Sequence, residues 1–386
     1  MARCVFLHIG TMKAATTYLQ YLFDANRDLL ASHGLLWQGA RFNQYAIHDL
    51  HSSSMLPEAE KGAFLEFRDQ VRREPGDVLV SMELLAKQPA KRARRLAREL
   101  GADSYVVIVT ARDVARTARS HWQESTQNRS STPWAQWIAE ICAAEPGAGD
   151  SKFWRNHYLP RIIDEWAEVA APGATRLVTI PPPGAARDVV WHRFASALGV
   201  PPDGAVMPAV NNSGLGGVSA ELMRRLNGQL TGLSFDEYRW GFKAALAKQT
   251  LSRRAALEPP IALSPQQHDR LAQVAGEMVD HLKQRSDVVE VIGDLTDLLP
   301  GPRPEASSYD PVAATDSELL DAALAGLLGL GRRVSRQHEE LRQARAELAS
   351  LARSNEELRA ELERRSSQPV RQALRDISTR RPGRSD

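Results

Sequence analysis

Lys13, Thr16 and Thr17 are the first residues of this 386-residue chain whose types and spacing suggest chemistry. A lysine three residues ahead of two adjacent threonines offers one full positive charge and two hydroxyl donors within a short stretch of chain. They follow Gly10 and Thr11, which end an apolar run at 5–9, and Ala14 and Ala15 lie between them. An apolar run, a tight loop and an amphipathic stretch carrying Leu19, Leu22 and Phe23 spell strand, loop and helix. Such a loop gathers backbone N–H groups and the positive end of a helix dipole at one point, which is a receptor for an anion.

A second constellation lies farther along. The near-continuous apolar run 106–109 suits a buried parallel strand. Arg112 and Asp113 stand at its carboxyl end, and Ser120 follows two turns into the next amphipathic stretch. Ligands of open α/β sheets bind at the carboxyl ends of strands. An arginine there supplies a planar fork for a phosphate, and a serine adds a hydroxyl donor to the same group. Between the two constellations, the apolar run 77–81 leads through Met82 to a carboxylate, Glu83. His48 and His51 are rivals to it for any proton transfer, since histidine ordinarily titrates closest to neutrality.

The elements that must position these groups follow from periodicity. Strands are expected at 5–9, 77–81, 105–110 and 176–180, and helices at 17–32, 90–100, 114–127, 154–169, 191–198 and 264–284. The run 238–248 also reads as a helix, on which Arg239, Trp240 and Lys243 could reach a ligand. Gly34, Gly101 and Gly199 stop three of these helices in the usual C-terminal way. Alternation of the two kinds of segment over 1–300 predicts an α/β domain with a parallel sheet.

The P-loop of nucleoside triphosphatases requires Gly-x-x-x-x-Gly-Lys-Ser/Thr. Here the lysine comes too early, and Ala15 stands where the second glycine would be. The segment instead resembles the 5′-phosphosulfate loop of the sulfotransferases that use 3′-phosphoadenosine 5′-phosphosulfate (PAPS). Gly10, Thr11, Lys13, Thr16 and Thr17 match that pattern, while Met12, Ala14 and Ala15 depart from its usual Pro, Ser/Thr and Gly. Arg112 through Ser120 is similar to the family's 3′-phosphate site, with the same spacing and an acidic residue after the arginine.

The resemblance covers 1–300 and implies a three-layer, P-loop-like sulfotransferase fold, PAPS as co-substrate, no metal, and a hydroxyl acceptor on a carbohydrate, lipid or small metabolite. It implies that Lys13 holds the phosphosulfate and stabilises the leaving phosphate, with Gly10, Thr11, Ala14, Ala15, Thr16 and Thr17 around it. Tyr18 would lie near adenine, and Arg112 and Ser120 would grip the 3′-phosphate. Glu83 falls where glycan-type members carry a catalytic glutamate. Asn212 and Ser213 could replace the late Arg-Lys-Gly loop of cytosolic members, or serve only as a helix cap. Three other readings stand beside this one: a catalytically degenerate PAPS/PAP-binding module, in which Ala14 and Ala15 mark lost activity; a kinase-like phosphotransferase, which would need the missing P-loop lysine; and a coiled-coil scaffold with no ligand.

Composition narrows the setting. A hydrophobic content of 43% is ordinary for a globular chain, and a net charge of +2 favours no nucleic-acid partner. Cys4 and Cys142 offer neither a disulfide framework nor metal-ligand spacing. No apolar stretch is long enough to span a membrane and no signal-peptide pattern opens the chain, so a cytoplasmic location is expected. The proline-rich segment 301–316 reads as a linker. Beyond it, at 317–366, residues 320, 327, 334, 341, 348, 355 and 362 are Leu, Leu, Val, Leu, Leu, Asn and Leu, with Leu330, Leu351 and Leu358 at companion positions. This heptad seam predicts a parallel coiled-coil homodimer, with Asn355 fixing register and Glu340 facing Arg345 across the pair. The basic stretch 367–386 is expected to be a disordered tail.

Overall fold

The structure, a computed structural model, describes residues 2–51, 56–209, 214–305 and 310–379. Among these, short apolar runs form a sheet of six parallel strands: β1 Cys4–His8, β2 Leu35–Trp37, β3 Asp77–Ser81, β4 Ser104–Ala111, β5 Thr175–Thr179 and β6 Val289–Ile292. Their order is β2-β3-β1-β4-β5-β6. The chain builds outward from β1 to one side through β2 and β3, then to the other through β4, β5 and β6. The direction of winding therefore reverses between β1 and β4, and the loops leaving those two strands open a crevice at their carboxyl ends.

Register aligns the strand ends that matter. His8 at the end of β1 lies opposite Ser81 of β3 on one side and Ile108 of β4 on the other. Helices pack on the sheet through largely apolar faces. Leu19, Leu22 and Phe23 of the helix Thr16–Ala25 join Trp191 and Phe194 in one buried cluster with Phe6 and Ile108 of the sheet.

The two edge strands β2 and β6 are the ones periodicity does not reveal. Three residues and four are too few to establish an alternation. The helix expected at 17–32 is two helices, Thr16–Ala25 and Arg27–Ser32, which meet at the buried Asn26, whose side chain donates back to the Leu22 carbonyl and pairs with both backbone groups of Val206. That expected at 154–169 also divides, into Lys152–His157 and Leu159–Ala167. Pro160 in the first turn of the second helix has no N–H to continue the first.

The segment Tyr238–Lys248 is helical but wound as a π-helix. The C-terminal helix runs from Asp316 to Thr379, through 367–379 as well, and residues 380–386 lie outside the described ones. Its first turns belong to the compact unit that ends at Ala323, where Leu319 and Ala322 are buried against Val218. The second unit, from Leu324 onward, is helical over its described residues. Among the described residues no helix is long and apolar enough to cross a membrane.

Candidate functional site

The loop after β1 takes a conformation that its residue types resist. Lys13 and Ala15 both have positive φ, 67° and 64°. A side chain in the left-handed region costs roughly 1–2 kcal/mol per residue. Right- and left-handed residues in alternation turn successive N–H groups toward one side, which makes an anion-binding concavity. The loop is pinned at its base, where Thr11 donates through both its N–H and its hydroxyl to the Thr110 carbonyl of β4. The N–H of Ala14 closes a turn onto the Thr11 carbonyl. Gly10 is required by space: a Cβ there would come within 2.7 Å of Thr16 Oγ1 and 2.9 Å of His8 Nε2, and closer still to Thr110 Oγ1.

Beneath the loop, the fully buried His8 joins three strands. Its Nδ1 lies 2.8 Å from Ser81 Oγ and its Nε2 3.1 Å from Thr110 Oγ1. Burial pushes the imidazole down to about 3, so it stays neutral. Each of the three residues stands two positions before a functional candidate: His8 before Gly10, Ser81 before Glu83, Thr110 before Arg112.

A cavity of about 350 Å³ opens above this junction. Lys13, Ala15, Thr16, Thr17, Tyr18, Glu83, Arg112 and Ser120 all line it. Gly10, Thr11 and Ala14 do not; they form the loop's base, and the Ala14 methyl is fully buried in the core. Asn212 and Ser213 lie outside the described residues, although the adjoining Gly214 lines the cavity. His48 and His51 are not on its wall. Burial lowers both imidazoles, His51 to about 4.

Arg112 does not pair with its neighbour Asp113. Asp113 caps the helix Val114–Gln127, accepting from the N–H groups of Ala115 and Arg116 at 2.7 and 3.3 Å. The guanidinium of Arg112 is left to reach Ser120 Oγ at 2.7 Å, which sets both donors at one point on the cavity wall. Burial, with Arg116 nearby, pushes Arg112 down to about 10. A half-buried cation without a carboxylate partner among the described residues is a site prepared for an anion. Thr16 Oγ1 points the same way, being buried with no hydrogen-bond partner among the described residues.

The two carboxylates lining the cavity, Glu83 and Glu124, are of two kinds. Glu124 sits 3.2 Å from Lys13 Nζ, and although burial opposes ionisation, the lysine holds Glu124 below its ordinary range. Glu83 is pushed up to about 7, first by burial and then by the charge of Glu124, with Lys13, Lys248 and Lys243 opposing. One carboxylate is thus committed to the ionised form and the other poised near neutrality, the division by which a proton acceptor is recognised.

Gln123, Glu124 and Gln127 also line the cavity, and no motif marks them. Their positions three, four and seven after Ser120 put them on its helix face, so projecting that helix would find them. Lys248 had no such signal, because a π-helix changes which residues share a face. Among the described residues no group of three His, Cys, Asp or Glu side chains could hold a metal ion. The chain matches no protein-family model, no curated protein and no solved structure, so the site itself carries the functional reading.

Proposed function

We propose that this chain is a PAPS-dependent sulfotransferase with a P-loop-like fold, acting on a hydroxyl of a carbohydrate, lipid or small metabolite. The observation that carries the reading is convergence. Two anion-binding elements distant in sequence, the Lys13 loop and the Arg112–Ser120 pair, open on one cavity together with a carboxylate poised near neutrality. That arrangement suits a ligand with anionic groups at two ends.

The donor supplies an activated S–O bond whose leaving group is a phosphate. Lys13 and the loop N–H groups neutralise charge growing on the bridging oxygen as that bond breaks. Glu83 takes the acceptor's proton as the new S–O bond forms, and Arg112 with Ser120 holds the nucleotide's far end. The degenerate-module alternative gains support from Ala15, which carries the left-handed backbone without a glycine's freedom. The position of Glu83 near pH 7 favours the enzyme, since a binding module has no use for a poised base.

Calorimetry with 3′-phosphoadenosine 5′-phosphate (PAP) tests the reading. Binding should be indifferent to magnesium, and Arg112→Ala should weaken it by about 30-fold or more, the cost of a lost charge-assisted contact. Binding that requires magnesium, or is unchanged in the variant, would sink it. Sulfuryl transfer to no member of an acceptor panel, with PAP binding intact, would select the binding module.

The C-terminal helix supports a parallel coiled-coil homodimer. Leu327, Leu348 and Leu362 of the seam are 66–67% exposed, a row of large apolar side chains that a lone helix leaves in water. Sedimentation should return a dimer mass, and Leu348→Cys should form an intermolecular disulfide, because a parallel register sets the two copies of an a position face to face. A monomeric wild-type chain would overturn the dimer, and an uncrosslinked dimer its parallel register.

A further inference from the structure

The wall formed by Tyr238–Lys248 has a use that donor binding leaves open. A π-helix bonds residue i to i+5, is rare, and recurs at functional sites. Here that bonding shows at the end of the run, where the N–H of Gln249 donates to the Ala244 carbonyl at 3.1 Å. The wider turn brings residues five apart, such as Lys243 and Lys248, closer to one face than an α-helix would.

The run is held in this form from outside. The hydroxyl of the buried Tyr238 donates to Asn227 Oδ1 at 2.8 Å and accepts from the N–H of Arg129 at 3.1 Å. Arg129 is itself left-handed at φ 72° and lays its guanidinium over the Tyr238 ring at 5.0 Å. The two lysines have different states. Lys243 Nζ is held on Asn128 Oδ1 at 2.5 Å, and Lys248 lines the cavity with no ion-pair partner among the described residues. Lys248 and Glu83, the acceptor-side carboxylate, line the same cavity, and the charges of both lysines oppose the upward shift of Glu83, while the donor's two anionic ends already have Lys13 and Arg112.

We propose that Lys248, backed by Lys243, forms an anion subsite beside Glu83, so that the acceptor carries a carboxylate, phosphate or sulfate group near its reacting hydroxyl. The inference rests on the sulfotransferase reading, and the experiment separates the two. Matched acceptor pairs, glucuronate against glucose and 4-hydroxybenzoate against its methyl ester, are assayed for transfer with wild type, Lys248→Met and Lys248→Arg. PAP affinity is measured in parallel by calorimetry.

Wild type should favour the charged member of a pair by about tenfold or more, the value of a hydrogen bond to a charged group. Lys248→Met should erase that preference with PAP affinity within about twofold of wild type, and Lys248→Arg should restore most of it. Lack of preference in wild type overturns the subsite. So does a Lys248→Met variant that weakens PAP and keeps the preference, which would give Lys248 to the donor. Where wild type binds PAP but transfers to no acceptor, the sulfotransferase reading fails by itself. The subsite then stands or falls on calorimetric binding of glucuronate or 4-hydroxybenzoate to the PAP-loaded protein, and on its loss in Lys248→Met.

Discussion

Glu83→Gln should lower sulfuryl transfer by about 10²–10⁴-fold, the usual contribution of a positioned general base, and leave PAP affinity little changed. The amide keeps the size of the side chain and removes only its capacity to take a proton. Because Glu83 titrates at about 7, wild-type turnover should climb as pH rises toward 7 and level off above it. The variant should lack that limb. A linked effect runs in stability. The folded carboxyl holds its proton to higher pH than the unfolded one, so folding loses stability as pH rises from the ordinary carboxyl range through about 7. Glu83→Gln removes that loss, and its melting temperature should exceed wild type's at pH 8 by more than at pH 5. A full rate in the variant would remove Glu83 from the reaction; an unchanged pH profile would move the limb to another group.

Lys13→Ala should cost about 10²–10³-fold in transfer, comparable to loss of one preorganised donor to a developing anion. Its second consequence is more diagnostic. Lys13 stands 3.2 Å from Glu124 and also lowers Glu83, so its removal strips a cation from both carboxylates. The residual activity should therefore show its pH limb displaced to higher pH. Glu124→Gln should act in the opposite sense, since it deletes the carboxylate that raises Glu83 and frees the lysine. Transfer that survives Lys13→Ala at the wild-type rate would end the mechanism, because no other cationic side chain lies in the loop.

The central strands and the residues at their ends were legible because each carries a local signal. The apolar runs feeding Lys13, Glu83 and Arg112 are long enough to read, and a parallel sheet delivers their carboxyl ends to one side. The pairing of Arg112 with Ser120, and not with Asp113, follows from spacing once a helix is assumed. What stayed hidden depends on partners distant in sequence. Asn26, where two helices meet, is tied to Val206, and Tyr238 is tied to Arg129 and Asn227. The Lys13–Glu124 pair joins a loop to a helix face that no motif marks. Left-handed geometry at Ala15 is the reverse case, since the sequence argues against it and the chain adopts it. The base of the loop, held twice on the Thr110 carbonyl, over-determines the turn.

His8 gives the site a common ruler. The loop, the poised carboxylate and the arginine each begin two residues beyond a group that this one imidazole touches or carries. Burial holds it neutral at ordinary pH, so the proposed transfer would leave its charge, and the spacing it sets, unchanged. A ligand arriving at the crevice meets these three strand ends as one solid part instead of three hinged ones.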